Sequence, residues 1–113
     1  MLRSFFDDWV QVDLEEAKHF SMLDKRLIEV GAAYGDLPAH DELWQAAEET
    51  RSSLIARLAI IPLVPEAYGL DTTPPMIEKA KTGGDDATAH ILETIYRDEK
   101  RHVAFGAKWF RFL

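Results

Sequence analysis

The sequence contains no cysteine, and it contains no long apolar run. The first absence excludes a disulfide framework, a thiolate metal site and a cysteine nucleophile. The longest apolar stretch, Leu58–Pro65, is far shorter than the roughly 20 residues that a helix needs to cross a bilayer, so we expect no membrane segment. Met1–Arg3 leads directly into an acidic amphipathic segment rather than a signal peptide. We therefore expect a cytoplasmic protein.

Basic residues are scarce in the first half of the chain. Residues 1–50 carry 12 acidic and 4 basic side chains, whereas residues 51–113 carry 8 and 9, for a net charge of −7. An acidic surface repels phosphate backbones, so we do not expect nucleic-acid binding. One basic strip near the C-terminus is interpreted as a solvated helix face: Arg97, Lys100, Arg101, Lys108 and Arg111.

The most informative feature is a repeated Glu-x-x-His motif. Glu16 precedes His19 by three residues, and Glu99 precedes His102 by the same spacing. The segments around the two motifs align without a gap, and a further acid, Glu66, lies between them. Two such motifs with additional glutamates form the ligand set of carboxylate-bridged di-metal helical bundles.

Helical geometry places both motifs on apolar faces. At about 100° per residue, the side chains within about 60° of Glu16 are Leu2, Phe5, Trp9, Val12, His19, Phe20, Leu23, Leu27 and Val30. The corresponding set around Glu99 is Thr88, Leu92, Ile95, Tyr96, His102, Val103, Gly106, Phe110 and Leu113. Lys18, Lys100 and Arg101 point away from these stripes. A buried, unpaired carboxylate costs several kcal/mol, and a bound cation removes that cost.

The alternative for one motif alone is a surface ion pair or a hydrogen-bonded core histidine. The metal hypothesis therefore depends on both motifs together with Glu66, which shares its helical face with Ile55, Ala59, Pro62 and Leu63. The neighbouring acids Glu15 and Asp98 lie about 100° from the motif glutamates and are interpreted as solvated.

Capping and turn residues predict an all-α single domain over residues 1–113. The first helix is expected from the cap Ser4 to Val30, and the last from Asp85 or Asp86 to about Phe112. Between them we expect a connection over residues 31–39, then a helix from His40 or Asp41 to Gly69. Pro62 should kink that helix. Thr72 or Thr73 should cap a short helix that begins at Pro74-Pro75 and ends at Gly83-Gly84.

The chain resembles a bacterial ferritin-like family of unknown function, which is distantly similar to the tRNA-hydroxylating di-iron proteins. The segments that carry the resemblance are Asp8-Trp9, Glu16–Phe20, Tyr34–Asp41, Pro65–Asp71 and Tyr96–Val103. The resemblance implies an antiparallel helical bundle with a di-iron or di-manganese centre. Its implied ligands are Glu16, His19, Glu66, Glu99 and His102. Family members usually carry arginine where Tyr68 stands.

The same resemblance implies a fourth carboxylate on a helix that precedes the first motif, which this chain does not contain. The fold is therefore expected to be a truncated ferritin-like bundle of three main helices and a short one. The chain could be a shortened relative or the C-terminal part of a larger family domain, another subunit could supply the absent helix, or the site could hold one metal ion or none. A homodimer is expected to cover the face that the absent helix leaves open.

An intact centre of this type would support redox chemistry with O₂ on a substrate that the sequence does not disclose. Tyr96 is a candidate for electron transfer or for contact with a ligand, although a tyrosine packed in the core is the favoured interpretation. Asp71 could orient a ligand histidine or cap the Thr72–Pro75 turn. His40 is expected at a helix start and His90 on the exposed side of its helix. The alternative function is a metal-poor helical module for oligomerisation or interaction.

Overall fold

The chain consists of helices and connections, with no β-strand, in a computed structural model that describes residues 1–113. Its elements are α1 (Arg3–Glu29), α2 (Glu42–Glu49), α3 (Leu54–Ile60), a π-helical turn (Pro62–Glu66), α4 (Ala67–Thr82) and α5 (Asp86–Phe112). The prediction of an all-α fold is confirmed. None of the helices combines the length and the hydropathy that crossing a membrane requires.

α1 covers nearly the residues predicted for it, but its N-cap differs from the predicted one. Ser4 lies inside the helix, and the residue that precedes α1 is Leu2, whose side chain makes no capping hydrogen bond, so the prediction of a Ser4 cap was wrong. The end of α1 is set by Gly31, which adopts φ +89°, a conformation that a Cβ atom disfavours. The Ala32 N–H then donates to the Leu27 carbonyl at 3.0 Å and closes the helix.

The middle of the chain is broken more often than predicted. One kinked helix was expected from residue 41 to 69, but α2 ends at Glu49 and α3 begins only at Leu54. Ser53 is extended, and its hydroxyl accepts a hydrogen bond from the Ala56 N–H at 3.3 Å, which starts a new helix. The expected distortion at Pro62 is present as the π-helical turn, because proline removes a backbone donor.

α4 continues through the positions that were predicted to end it. Gly69 and the Pro74-Pro75 pair all lie within the helix, so the predicted stop and the predicted cap at Thr72 or Thr73 were wrong. The Thr72 hydroxyl instead donates to the Tyr68 carbonyl at 3.3 Å, one turn back within the same helix. The predicted end at the glycine pair is confirmed, with Gly84 at φ +79°.

The chain divides into two compact units, and the boundaries fall within α4 and α5. The first unit combines residues 1–39 with 75–95, and the second combines residues 40–74 with 96–113. The single domain expected over residues 1–113 stays a prediction.

In the first unit, Arg26 ties the end of α1 to the start of α5. Its Nη2 donates to Asp85 Oδ1 at 2.9 Å, and its Nε donates to Thr88 Oγ1 at 3.0 Å. Asp85 also caps α5, because its Oδ1 accepts from the Thr88 N–H at 3.0 Å. The predicted start of the last helix at Asp85 or Asp86 is therefore confirmed.

In the second unit, Gly106 of α5 lies directly against the π-helical turn. A Cβ atom added at Gly106 would lie 2.5 Å from both Cβ and Cγ of Pro62. Pro62 is itself fully buried. The absence of a side chain at Gly106 therefore sets how closely α5 and the turn approach each other.

Candidate metal centre

Glu99 and His102 occupy one face of α5, as their spacing predicts. His102 has no exposed surface, and the Glu99 side chain is 16% exposed. His102 Nδ1 lies 3.7 Å from Glu99 Oε2. The imidazole and the carboxylate therefore face the same small volume, from one helix turn.

Glu66 brings a second carboxylate to this volume. Glu66, Glu99 and His102 each offer a ligand-type atom, and these atoms lie within 4.8 Å of one another. Glu66 is the last residue of the π-helical turn, and the close contact between Pro62 and Gly106 holds that turn against α5. The cluster therefore depends on a distorted helical turn that fits beside a glycine.

Glu16 and His19 repeat the local geometry of the α5 pair in the first unit. His19 Nδ1 lies 3.6 Å from Glu16 Oε2, and the His19 side chain is 5% exposed. The Glu16 side chain, however, is 46% exposed. Phe20 and Leu23, which were predicted to share its buried stripe, are also exposed. The buried face of α1 is thus centred nearer to Val12 and His19 than to Glu16.

Asp98 is a buried acid that the sequence analysis placed in solvent, and that prediction was wrong. It is 4% exposed and lies on one helical line with His102, Gly106 and Trp109, all of which are buried. Arg101, which was expected to point away from the core face, donates from Nη2 to Asp98 Oδ1 at 3.3 Å. His102, Gly106 and Trp109 follow Asp98 by 4, 8 and 11 residues, a helical spacing that indicates a shared buried face.

The remaining candidates occupy less buried positions. Tyr96 is half-buried, with the Lys100 ammonium 4.4 Å from its ring centroid. Asp71 is exposed within α4, so it caps no turn there. His90 is exposed, as predicted, and His40 is exposed in the connection before α2. Glu15 is half-buried rather than fully solvated, and Gln11 Nε2 donates to its Oε1 at 3.2 Å.

The known proteins that this chain is similar to are uncharacterised. The chain is 42% identical over 110 residues to an uncharacterized protein of Haemophilus influenzae, an alignment that covers 97% of this chain and 38% of that relative. The chain therefore spans less than half of the relative's length. No solved structure matches it. Residues 1–113 match the family described as "Protein of unknown function (DUF455)", and the chain belongs to that family.

Proposed function

We propose that this chain is a ferritin-like protein that binds a transition-metal centre through carboxylates and imidazoles. The observation that supports this proposal most directly is the convergence of Glu66, Glu99 and His102, with ligand-type atoms within 4.8 Å of one another. Ligands on one ion, each about 2.1 Å from it, lie at most about 4.2 Å apart. The most distant of these atoms would therefore need to approach each other by about 0.6 Å or more for the three groups to share an ion.

The ligand chemistry favours iron or manganese. Carboxylate oxygens and neutral imidazoles suit Fe and Mn, and the chain offers no thiolate. Glu16 and His19 are proposed as further metal ligands, because they repeat the sequence spacing of the α5 pair and have a similar Glu–His separation, 3.6 Å against 3.7 Å. Together with Glu66, Glu99 and His102 they make up the five ligands that the family resemblance implies.

A di-iron or di-manganese centre supplies redox chemistry with O₂, which makes an oxidoreductase the proposed enzyme class. The residues of the chain would hold and shield the metal. The fully buried His102 and the largely buried Glu99 limit access of water to the ligand atoms. Tyr96, three residues before Glu99 on α5, is proposed to contact the centre from the same helix. Asp71 is exposed, and we assign it no role in the centre.

Metal content tests the proposal directly. Protein expressed with added iron and manganese, and purified without chelator, is expected to carry close to one or two Fe or Mn ions per chain by elemental analysis. A content below about a tenth of an ion per chain would refute the proposal. Mutation of Glu66 to Gln should lower the content, whereas mutation of the exposed Glu78 to Gln in α4 serves as the matched control.

One observation favours a second function, a helical module for association. Many large apolar side chains are exposed, and they recur every four residues at Leu2, just before α1, and at Phe6, Val10 and Leu14 within it. When a soluble protein exposes a large apolar patch, that patch usually marks an interaction surface. We propose that a homodimer covers it, in metal-binding and metal-free protein alike. Cytoplasmic location and the absence of nucleic-acid binding stay predictions.

A further inference from the structure

An open cavity of about 240 Å³ lies at the junction between α2 and α3. Every residue that lines it belongs to the second unit. These residues are Thr50, Arg51, Ser52, Ser53, Leu54 and Arg57. The lining therefore includes two arginines and three hydroxyl residues, in a chain whose net charge is −7.

Arg57 is fixed in this cavity without an acidic partner. It is half-buried, its Nε donates to Thr50 Oγ1 at 2.7 Å, and its Nη2 donates to the Ala47 carbonyl. Both acceptors are uncharged. A guanidinium carries five N–H donors, so two bonds leave three that can serve a ligand. A partly desolvated cation held by neutral groups gains most from an anion beside it.

The buried side chain of Thr50 gives the cavity a defined wall. Its hydroxyl donates to the Ala46 carbonyl at 2.8 Å while it accepts from Arg57. This arrangement orients the guanidinium before any ligand arrives, which lowers the entropic cost of binding. Thr50 is 7% exposed, so solvent does not compete for its bonds.

Arg51 supplies a second charge that remains available. Its side chain is 77% exposed, and its one acidic neighbour, Glu48, lies 3.8 Å away, which is a weak surface contact. Ser52 adds an exposed hydroxyl group. A tetrahedral phosphate accepts several charge-assisted hydrogen bonds, and guanidinium and hydroxyl groups are donors that suit it.

We propose that this cavity binds a phosphate group, either as free phosphate or as the phosphate of a small monoester. The site is independent of the proposed metal centre, since none of its lining residues is a proposed metal ligand. Leu54, on the wall of the cavity, offers an apolar surface to the organic part of an ester.

Isothermal titration at constant ionic strength tests the site, with inorganic phosphate and phenyl phosphate as the two probes. We expect saturable binding of at least one probe by the protein as purified. Arg51→Gln should weaken that binding about tenfold or more, the size expected when a hydrogen bond to a charged group is lost. Tighter binding of phenyl phosphate than of inorganic phosphate would identify the monoester as the preferred source.

The variants separate binding at this site from non-specific effects of charge. Arg57→Gln should abolish binding, but it also removes the contacts to Thr50 and Ala47, so Arg51→Gln is the deciding variant. Arg3→Gln, at an exposed arginine of α1, should bind both probes as the wild type does. Equal affinity in wild type and Arg51→Gln, or no binding beyond that seen with sodium chloride, would overturn the proposal.

Discussion

At the scale of single residues, mutation of His102 can distinguish a metal ligand from a histidine that only packs in the core. It is completely buried, so replacement by alanine leaves a cavity and destabilises the protein in any state. If His102 also binds metal, the metal-loaded protein loses a second contribution, about 2.7 kcal/mol when free metal is at 100 times its Kd. We expect His102→Ala to lower the melting temperature more with Fe(II) or Mn(II) than without metal.

The control for this measurement is His90→Ala, because His90 lies on the same helix but is exposed. It should shift the melting temperature little and equally in the presence and absence of metal. Glu99→Ala should behave as His102→Ala does. Equal losses for His102→Ala in both conditions would assign this histidine a packing role alone.

At the scale of helices and turns, the contact between Gly106 and Pro62 determines where the π-helical turn lies. Gly106→Ala adds a methyl group whose carbon would lie 2.5 Å from two atoms of the buried Pro62 ring. The gain in helix propensity is about 1 kcal/mol, and overpacking typically costs about 1–3 kcal/mol. Since a proline ring cannot rotate away, we expect net destabilisation in urea unfolding, together with reduced metal content, because the turn carries Glu66.

Gly69→Ala is the matched control for this substitution. Gly69 also lies within a helix, but nothing is within 4 Å of the position where its Cβ would be. This variant should be more stable than the wild type by about 0.5–1 kcal/mol. Stabilisation by both alanines would show that α5 and the turn are not in close contact.

The tie between α1 and α5 predicts a pH dependence of stability. Hydrogen bonds from the Thr88 hydroxyl and backbone N–H, and the nearby Arg26, hold the pKa of Asp85 below its ordinary value of 3.8. A lowered pKa in the folded state contributes stability that is present above the unfolded pKa and is lost as the pH falls through the folded pKa. Asp85→Asn should therefore be less stable than the wild type at pH 7.

Urea unfolding between pH 2 and 7 measures this effect. The difference between wild type and Asp85→Asn should shrink as the pH falls below about 4, which is the ordinary range of an aspartate pKa. Asp71→Asn, at an exposed aspartate within α4, should follow the wild-type curve throughout. A difference for Asp85→Asn that stays constant down to pH 2 would contradict the ionic origin of the tie.

At the scale of the whole molecule, the sequence predicted most where local chemistry sets the structure. The C-terminal end of α1 follows from Gly31, and the start of α5 follows from Asp85. Both residues act within one helical turn. The Glu–His pairs follow from helical spacing, which brings residues i and i+3 together in any fold. These features needed no knowledge of distant contacts.

Two of the predictions that failed concern α4 and Asp98. α4 continues through Gly69 and two prolines against their local preference, and nothing in the structure explains this continuation. The burial of Asp98 depends on what packs against α5, which periodicity measured from Glu99 does not reveal.

The convergence of Glu66 with Glu99 and His102 was predicted from ligand chemistry, but its structural basis beside Gly106 was not.

The exposed apolar surface predicts association in solution. Leu2, Phe6, Val10 and Leu14 repeat along α1 and are each more than half exposed. Sedimentation at micromolar concentration is expected to show a dimer, and Phe6→Glu with Val10→Glu should convert it to a monomer by placing like charges on the interface. A monomeric wild type that does not bind dyes specific for apolar surfaces would count against this interface.

The contact between Gly106 and Pro62 also constrains how the family can diverge. No side chain fits between the backbone of α5 and the proline ring, so a change at either position alters the space available at the other. Relatives that carry alanine or serine at position 106 are therefore expected to carry a residue other than proline at position 62. Gly69, which faces open space, can vary alone. Covariation of positions 62 and 106 across many homologues would record this steric coupling.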